Sequence, residues 1–404
     1  MPRSIVRYAP VVALALCALP MFAQVSSTKC AETEVPLGGS VSVARLDRCG
    51  DDVAAPLLWH LDRIDQVEGA LDGHYDRRNG GAGSTIYIMD TGVLASHGEF
   101  AFANGSRVIA GYDATTSLDL GRSKCTSDNK ATAPCYEGVD ELAPSSHGTG
   151  VASIAAGVHV GVAPEASVVS IRVMNERGLA TTRTYLDGLD SIIRHAWTTT
   201  NTRTAIVNIS GWVLERLNGA AQTKPVVTYA AVEQKIRDMI AGVDATGRPD
   251  ATNGRRFLFV VAANNTDGGC GPAGKIDRFP AVLGHKMEGL ITVGGMTADN
   301  LSWNGTCRGG VEVLAPAQGI FSATITAADH YRGRRPNLRS GTSFAAPIIA
   351  GIAARMLAER PDLTPQQLEW WIAATPSRVD DPSAQMADGR VAYIPVPAQT
   401  ASMH

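Results

Sequence analysis

Short apolar runs rich in β-branched residues recur through the middle of the chain, with stretches of helical character between them. The runs fall at residues 86–89, 168–173, 205–209, 257–262, 289–293 and 311–315. Residues 147–156, 182–197, 228–242, 344–359 and 364–374 read as helices. A strand that is apolar throughout must be covered on both faces, and alternation with helices places such strands in parallel. The expectation is an α/β fold of three layers, a mostly parallel central sheet with helices on both faces. With 404 residues, 45% hydrophobic and 19% charged, the chain can bury one large core and still carry appendages. It shows no internal repeat.

Three stretches carry candidate chemistry. Residues 84–89 run as a buried strand into Asp90-Thr91-Gly92, which delivers a carboxylate at the C-terminal strand end. In open α/β sheets ligands bind at that end. Ser146-His147-Gly148-Thr149-Gly150-Val151 opens a helix of small residues with an imidazole in its first turn. Arg339-Ser340-Gly341-Thr342-Ser343-Phe344 precedes a run dominated by Ala, Ile and Leu that Pro361 stops, so Ser343 sits at or near a helix start. Taken singly, these are a turn residue, a surface histidine and an N-cap serine. Taken together, a carboxylate that orients an imidazole, which in turn takes a serine proton, is a nucleophilic constellation. The order Asp90, His147, Ser343 is one of the known arrangements of that triad. An esterase with Gly-x-Ser-x-Gly would need the serine first, and here it is last.

Asp-Thr-Gly, His-Gly-Thr-Gly-Val-Ala and Gly-Thr-Ser-Phe-Ala-Ala-Pro resemble the three signatures of the subtilisin-like serine proteases. The segment from Trp59 to Tyr75 is similar to the mature start of the proteinase K branch, and the resemblance runs to about Ala374. It implies a subtilisin-like fold and a serine endopeptidase working through an acyl-enzyme. The family's Ala-Ala-Gly-Asn motif puts Asn265 on the oxyanion asparagine, with Asn264 in place of the glycine. Ser210, Gly211 and Trp212 fall on the Ser-Leu-Gly segment that walls the pocket for the residue before the scissile bond. Gly178 falls on the other substrate-pairing segment. Trp212 has two readings: an indole that fills the pocket and favours small residues, or a one-residue slip that leaves Gly211 as the pocket glycine and turns Trp212 into the core. Gly150 stands where relatives carry a second, structural histidine. Structural calcium is common in the family, but Asp62, Asp277 and Asp299 form no recognisable pattern, so no metal site is assigned and no cofactor is required. An inactive, binding protein on the same fold is the alternative function.

Residues 1–23 read as a secretory signal: Arg3 and Arg7, an apolar stretch at 9–19, and Ala23 as cleavage point. Residues 24–56 form a short leader, 57–375 the peptidase domain, and 376–404 a polar tail. The product is expected to be exported, extracellular or periplasmic. Of seven cysteines, Cys17 leaves with the signal, and Cys30, Cys49, Cys125, Cys135, Cys270 and Cys307 suit disulfides in an exported chain. Sequence alone does not choose their partners; pairing of neighbours is the working expectation. A net charge of −3 implies neither nucleic acid nor an acidic membrane surface as partner. The basic run Arg332, Arg334, Arg335, Arg339 reads as a solvated loop. Substrates are proteins or peptides, and the protein is expected to act as a monomer.

Overall fold

A computed structural model describes residues 58–71, 75, 79–102, 105–115, 147–175, 178–199, 202–215, 227–324, 331–332, 338–374, 377–380 and 390–393. The expected signal, the leader, Cys30, Cys49, Cys125, Cys135 and the segment 116–146 lie outside the described residues.

The central sheet has seven strands. In chain order they are β1 (Thr85–Asp90), β2 (Val108–Asp113), β3 (Ser167–Arg172), β4 (Thr204–Ile209), β5 (Arg256–Ala262), β6 (Leu290–Met296) and β7 (Val313–Pro316). They lie in the order β2-β3-β1-β4-β5-β6-β7, and every ladder is parallel. From β1 the chain goes to the edge strand β2, returns through β3, which lies between them, and then crosses to build outward on the other side of β1. That reversal opens a crevice at the carboxyl ends of the central strands.

The described helices are α1 (His147–Ala156), α2 (Thr182–Thr199), α3 (Tyr229–Ala241), α4 (Thr342–Glu359) and α5 (Pro365–Ala373), with a single turn at Trp59–Asp62. On α2, Tyr185, Leu189, Ile192, Ile193 and Ala196 are buried, the three- and four-residue spacing of an amphipathic helix. On α3, Val232, Ile236, Met239 and Ile240 do the same, and Thr228 caps it by accepting from the Ala231 amide at 3.2 Å. The α4 helix differs, being buried on all sides from Phe344 to Leu357. It packs across β4, β5, β6 and β7 and against α1, as a helix apolar on all faces from Phe344 to Ala354 requires. The result is the three-layer α/β architecture.

One strand is absent from the sequence reading. At the sheet edge, β2 carries Gly111 at a bulge between Ala110 and Tyr112, and Ile109 is 40% exposed. An edge strand broken by glycine leaves no continuous apolar run. The packed core also extends beyond residue 375. Ser377 accepts a hydrogen bond from Arg63 at 2.8 Å, and Val391 is buried beside Leu314. Arg339, expected in a solvated loop, is buried; its guanidinium lies 5.4 Å from the Phe344 ring centroid. It occupies space beside Gly150, where an added Cβ would meet its Cζ at 3.3 Å. The smallest residue at 150 thus leaves room for the largest cation.

Far from the crevice, Glu312 and Glu369 hydrogen-bond to one another where α5 meets the start of β6. Glu312 accepts from the Thr292 amide at 2.7 Å, and Glu369 accepts from the Gly289 amide. Burial pushes both carboxyls well above the usual carboxylate range, so the pair holds a proton at neutral pH.

Candidate active site

Asp90 ends β1 with no exposed surface. The His147 ring Nδ1 lies 2.8 and 2.9 Å from its two carboxylate oxygens and donates to them. The Thr91 amide donates to Oδ1 at 2.7 Å, which holds the carboxylate in place. A second set of bonds joins the β1 turn to α1. The Gly148 amide donates to Thr91 Oγ1 at 3.0 Å, and the Leu94 amide to Thr149 Oγ1 at 2.9 Å. This approach requires glycine at 148, because a Cβ there would stand 2.2 Å from the Gly92 carbonyl oxygen. The His-Gly-Thr sequence therefore supplies the imidazole, the clearance and the fastening in three consecutive residues.

Ser343 is the second residue of α4, and Gly341 is the N-cap, so the hydroxyl is not spent on capping. Its Oγ donates to the Ser210 carbonyl at 3.0 Å, and no hydrogen bond joins it to His147. In return, Ser210 Oγ donates to the Ser343 carbonyl at 2.9 Å. The reason lies four residues on. Pro347 has no N–H, so the Ser343 carbonyl has lost its helical partner, and Ser210 replaces it. Asn208 Nδ2 in turn donates to Ser210 Oγ at 2.9 Å. The sequence reading gave the Ser210 segment to substrate; Ser210 lines the cavity, and its side chain also fastens the start of α4 to the end of β4.

Asn265 follows β5. Its Oδ1 accepts from the Thr342 amide at 2.9 Å and from Thr342 Oγ1 at 3.0 Å. With the oxygen so held, the amide NH₂ is the free end of the side chain. Thr342 was not singled out from sequence, although its place directly before the serine was visible. The Ser343 backbone amide belongs to the first turn of α4, where N–H groups have no intrahelical acceptor.

These groups share one cavity of about 180 Å³. His147, Ser343, Asn265, Ser210, Gly211, Trp212 and Gly178 all line it. Asp90 stands behind His147. Gly211 lines the cavity and packs closely on Met174, whose Cε would stand 2.1 Å from a Cβ at 211. Trp212 is not turned into the core. It is half-buried at the cavity wall, and its ring lies 4.8 Å from Arg278 Cζ. Arg278 and Met174 complete the wall, and neither has a sequence signal. Behind the β5 loop, Cys270 and Cys307 form a disulfide, one of the expected neighbour pairs. Among the described residues no three His, Cys, Asp or Glu side chains gather as a metal site would need. No described helix is long and apolar enough to cross a membrane.

Comparison with known proteins gives a consistent picture. The model of the subtilase family matches residues 81–390. An extracellular serine proteinase of Thermus sp. (strain Rt41A) is 30% identical over 78% of this chain and 60% of its own length. Alkaline serine exoprotease A of Vibrio alginolyticus is 29% identical over 79% of this chain and 47% of its own. The chain thus spans about half to three-fifths of the length of these relatives. Among solved structures, a cold adapted subtilisin-like serine proteinase superposes with a TM-score of 0.59 at 27% identity, covering 84% of this chain and 98% of that one.

Proposed function

The chain belongs to the subtilase family, and on that premise we propose that it is an exported serine endopeptidase acting through an acyl-enzyme. The observation that carries the reading is the convergence in one cavity of a carboxylate-held imidazole, a helix-start serine and an asparagine whose oxygen is already engaged. Ser343 leaves the Ser210 carbonyl by rotation about χ1 and turns to His147, a tightening common once substrate binds. His147 Nε2 takes the hydroxyl proton as Oγ bonds to the scissile carbonyl carbon. Asp90 holds the ring in the donating tautomer and stabilises the imidazolium. The Asn265 amide and the Ser343 N–H receive the developing oxyanion, a contribution of roughly a hundredfold to a thousandfold for one such donor. The C–N bond then breaks, the imidazolium proton goes to the leaving amine, and water repeats the sequence on the ester. Each proton and charge is handled by a protein group, so the reading needs no cofactor.

Substrates are proteins or peptides held in extended form. Export rests on residues 1–23 and on relatives named as extracellular. The test is covalent labelling of the purified protein with a fluorophosphonate probe. Stoichiometric labelling at Ser343 supports the reading. A folded protein that neither labels nor cleaves casein would favour the inactive binding protein instead.

A further inference from the structure

Among the described residues that line the cavity, Arg278 is the only lysine or arginine, and none is a carboxylate. Its guanidinium stands between the loops that follow β4 and β5. On the β4 side its Cζ lies 4.8 Å from the Trp212 ring centroid. On the β5 side its Nη2 lies 3.5 Å from where a Cβ of Gly269 would stand. Stacking on the indole fixes the plane of the guanidinium. Its Nε is buried and makes no hydrogen bond. Among the described residues the carboxylate paired with it is Asp277, 3.6 Å from that same Nε and 45% exposed, a loose and solvated contact. A planar cation is therefore held in the cleft with donor capacity unused.

The acyl residue of a substrate has its carbonyl carbon at Ser343 and its oxygen at Asn265. Its side chain leaves the Cα next to that carbon, so it enters the cavity that Ser343, Asn265 and Arg278 line together. A neutral side chain there offers the guanidinium no countercharge. An acidic one supplies a carboxylate to a preoriented guanidinium in a partly dry pocket, where such a bond is stronger than in water. We propose that Arg278, stacked on Trp212, selects substrates with an acidic residue, Glu above all, immediately before the cleaved bond. This rests on the endopeptidase reading of the same site and adds the substrate class.

The test compares peptides identical except for Glu, Gln, Ala or Lys before the bond. Glu and Gln are isosteric, so their ratio isolates charge. Wild type should show kcat/KM for Glu over Gln of roughly tenfold or more at low salt, shrinking as salt is raised, with Lys lowest. In Arg278→Gln the ratio should fall to about one or below. In Arg278→Lys a Glu preference should persist in weaker form, because the charge selects and the fork sharpens it. Fluorophosphonate labelling and cleavage of the Ala peptide are run on every variant, and report the endopeptidase reading separately. Wild type that labels and cuts Ala or Gln as readily as Glu overturns this proposal alone. So does a Glu preference that survives unchanged in a labelling-competent Arg278→Gln. Absence of both labelling and cleavage overturns the two together.

Discussion

On one side of the cleft, Asp90, Thr91, His147 and Gly148 are joined by hydrogen bonds of 2.7 to 3.0 Å, all at the ends of β1 and α1. On the other, Trp212, Gly269 and Arg278 meet by stacking and van der Waals contact, on loops that follow β4 and β5. The first side is fixed by directional bonds from regular elements. The second is held by one disulfide behind the β5 loop and by side chains laid over one another. Proton transfer needs atoms placed within tenths of an ångström, and the first construction supplies that. Recognition of a side chain tolerates more variation, and the second construction permits it. Chemistry and selectivity should therefore fail separately when each side is disturbed.

The largest effect belongs to Ser343→Ala. Turnover should drop by about a million-fold, and labelling should vanish. The lost bond to Ser210 should lower stability by only about 1 kcal/mol, read as a melting shift of a few degrees. A variant that still turns over would break the assignment. Next comes Asn265→Ala, which spans both sides because its oxygen holds Thr342 while its amide faces the cavity. Its kcat should fall by roughly a hundredfold to a thousandfold with KM little changed. A change confined to KM would make Asn265 part of the recognition side only. Reduction of Cys270–Cys307 should act on that side. It should cost roughly 2–4 kcal/mol of thermal stability, and below the new melting temperature it should weaken peptide cleavage more than probe labelling. Equal loss of both would mean that the two sides are one mechanical unit.

The smallest effect is a control outside the cleft. Glu312 and Glu369 hold a proton in the folded protein that the unfolded chain releases in the ordinary carboxylate range. Their raised values stabilise the fold fully at acid pH, and that stabilisation is lost as pH rises from the ordinary carboxylate range through the raised values of about 7 and about 8. Glu369→Gln should therefore flatten the fall in melting temperature between about pH 5 and 8 while leaving the cleft's selectivity unchanged. A shift in Glu-over-Gln preference would tie this distant pair to the cleft.

The contrast also explains what could be read from the amino-acid sequence. Asp90, His147 and Ser343 could be found because each needs particular neighbours in sequence: a strand before it, a glycine for clearance, a helix after it. The strands of the sheet centre were legible from their unbroken apolar runs, whereas edge strand β2 was not, because Gly111 interrupts it. Arg278 left no trace, since nothing local to it encodes a stack on Trp212 across two loops. Gly211 and Trp212, singled out from the sequence, both line the cavity, but the packing of Met174 against Gly211 has no local sequence signal.

The central place of α4 has a consequence for how the protein is made. A ribosome delivers β1 with Asp90 first, then α1 with His147, then β4 and β5 with Asn265. The helix that carries Ser343 and fills the groove over β4 to β7 comes out after all seven strands of the central sheet. A nascent chain that stops short of residue 342 lacks the proposed nucleophile, the Thr342 anchor of Asn265 and the main cover of its sheet at once. On the proposed reading, the reactive group and the cover of the sheet arrive in a single helix.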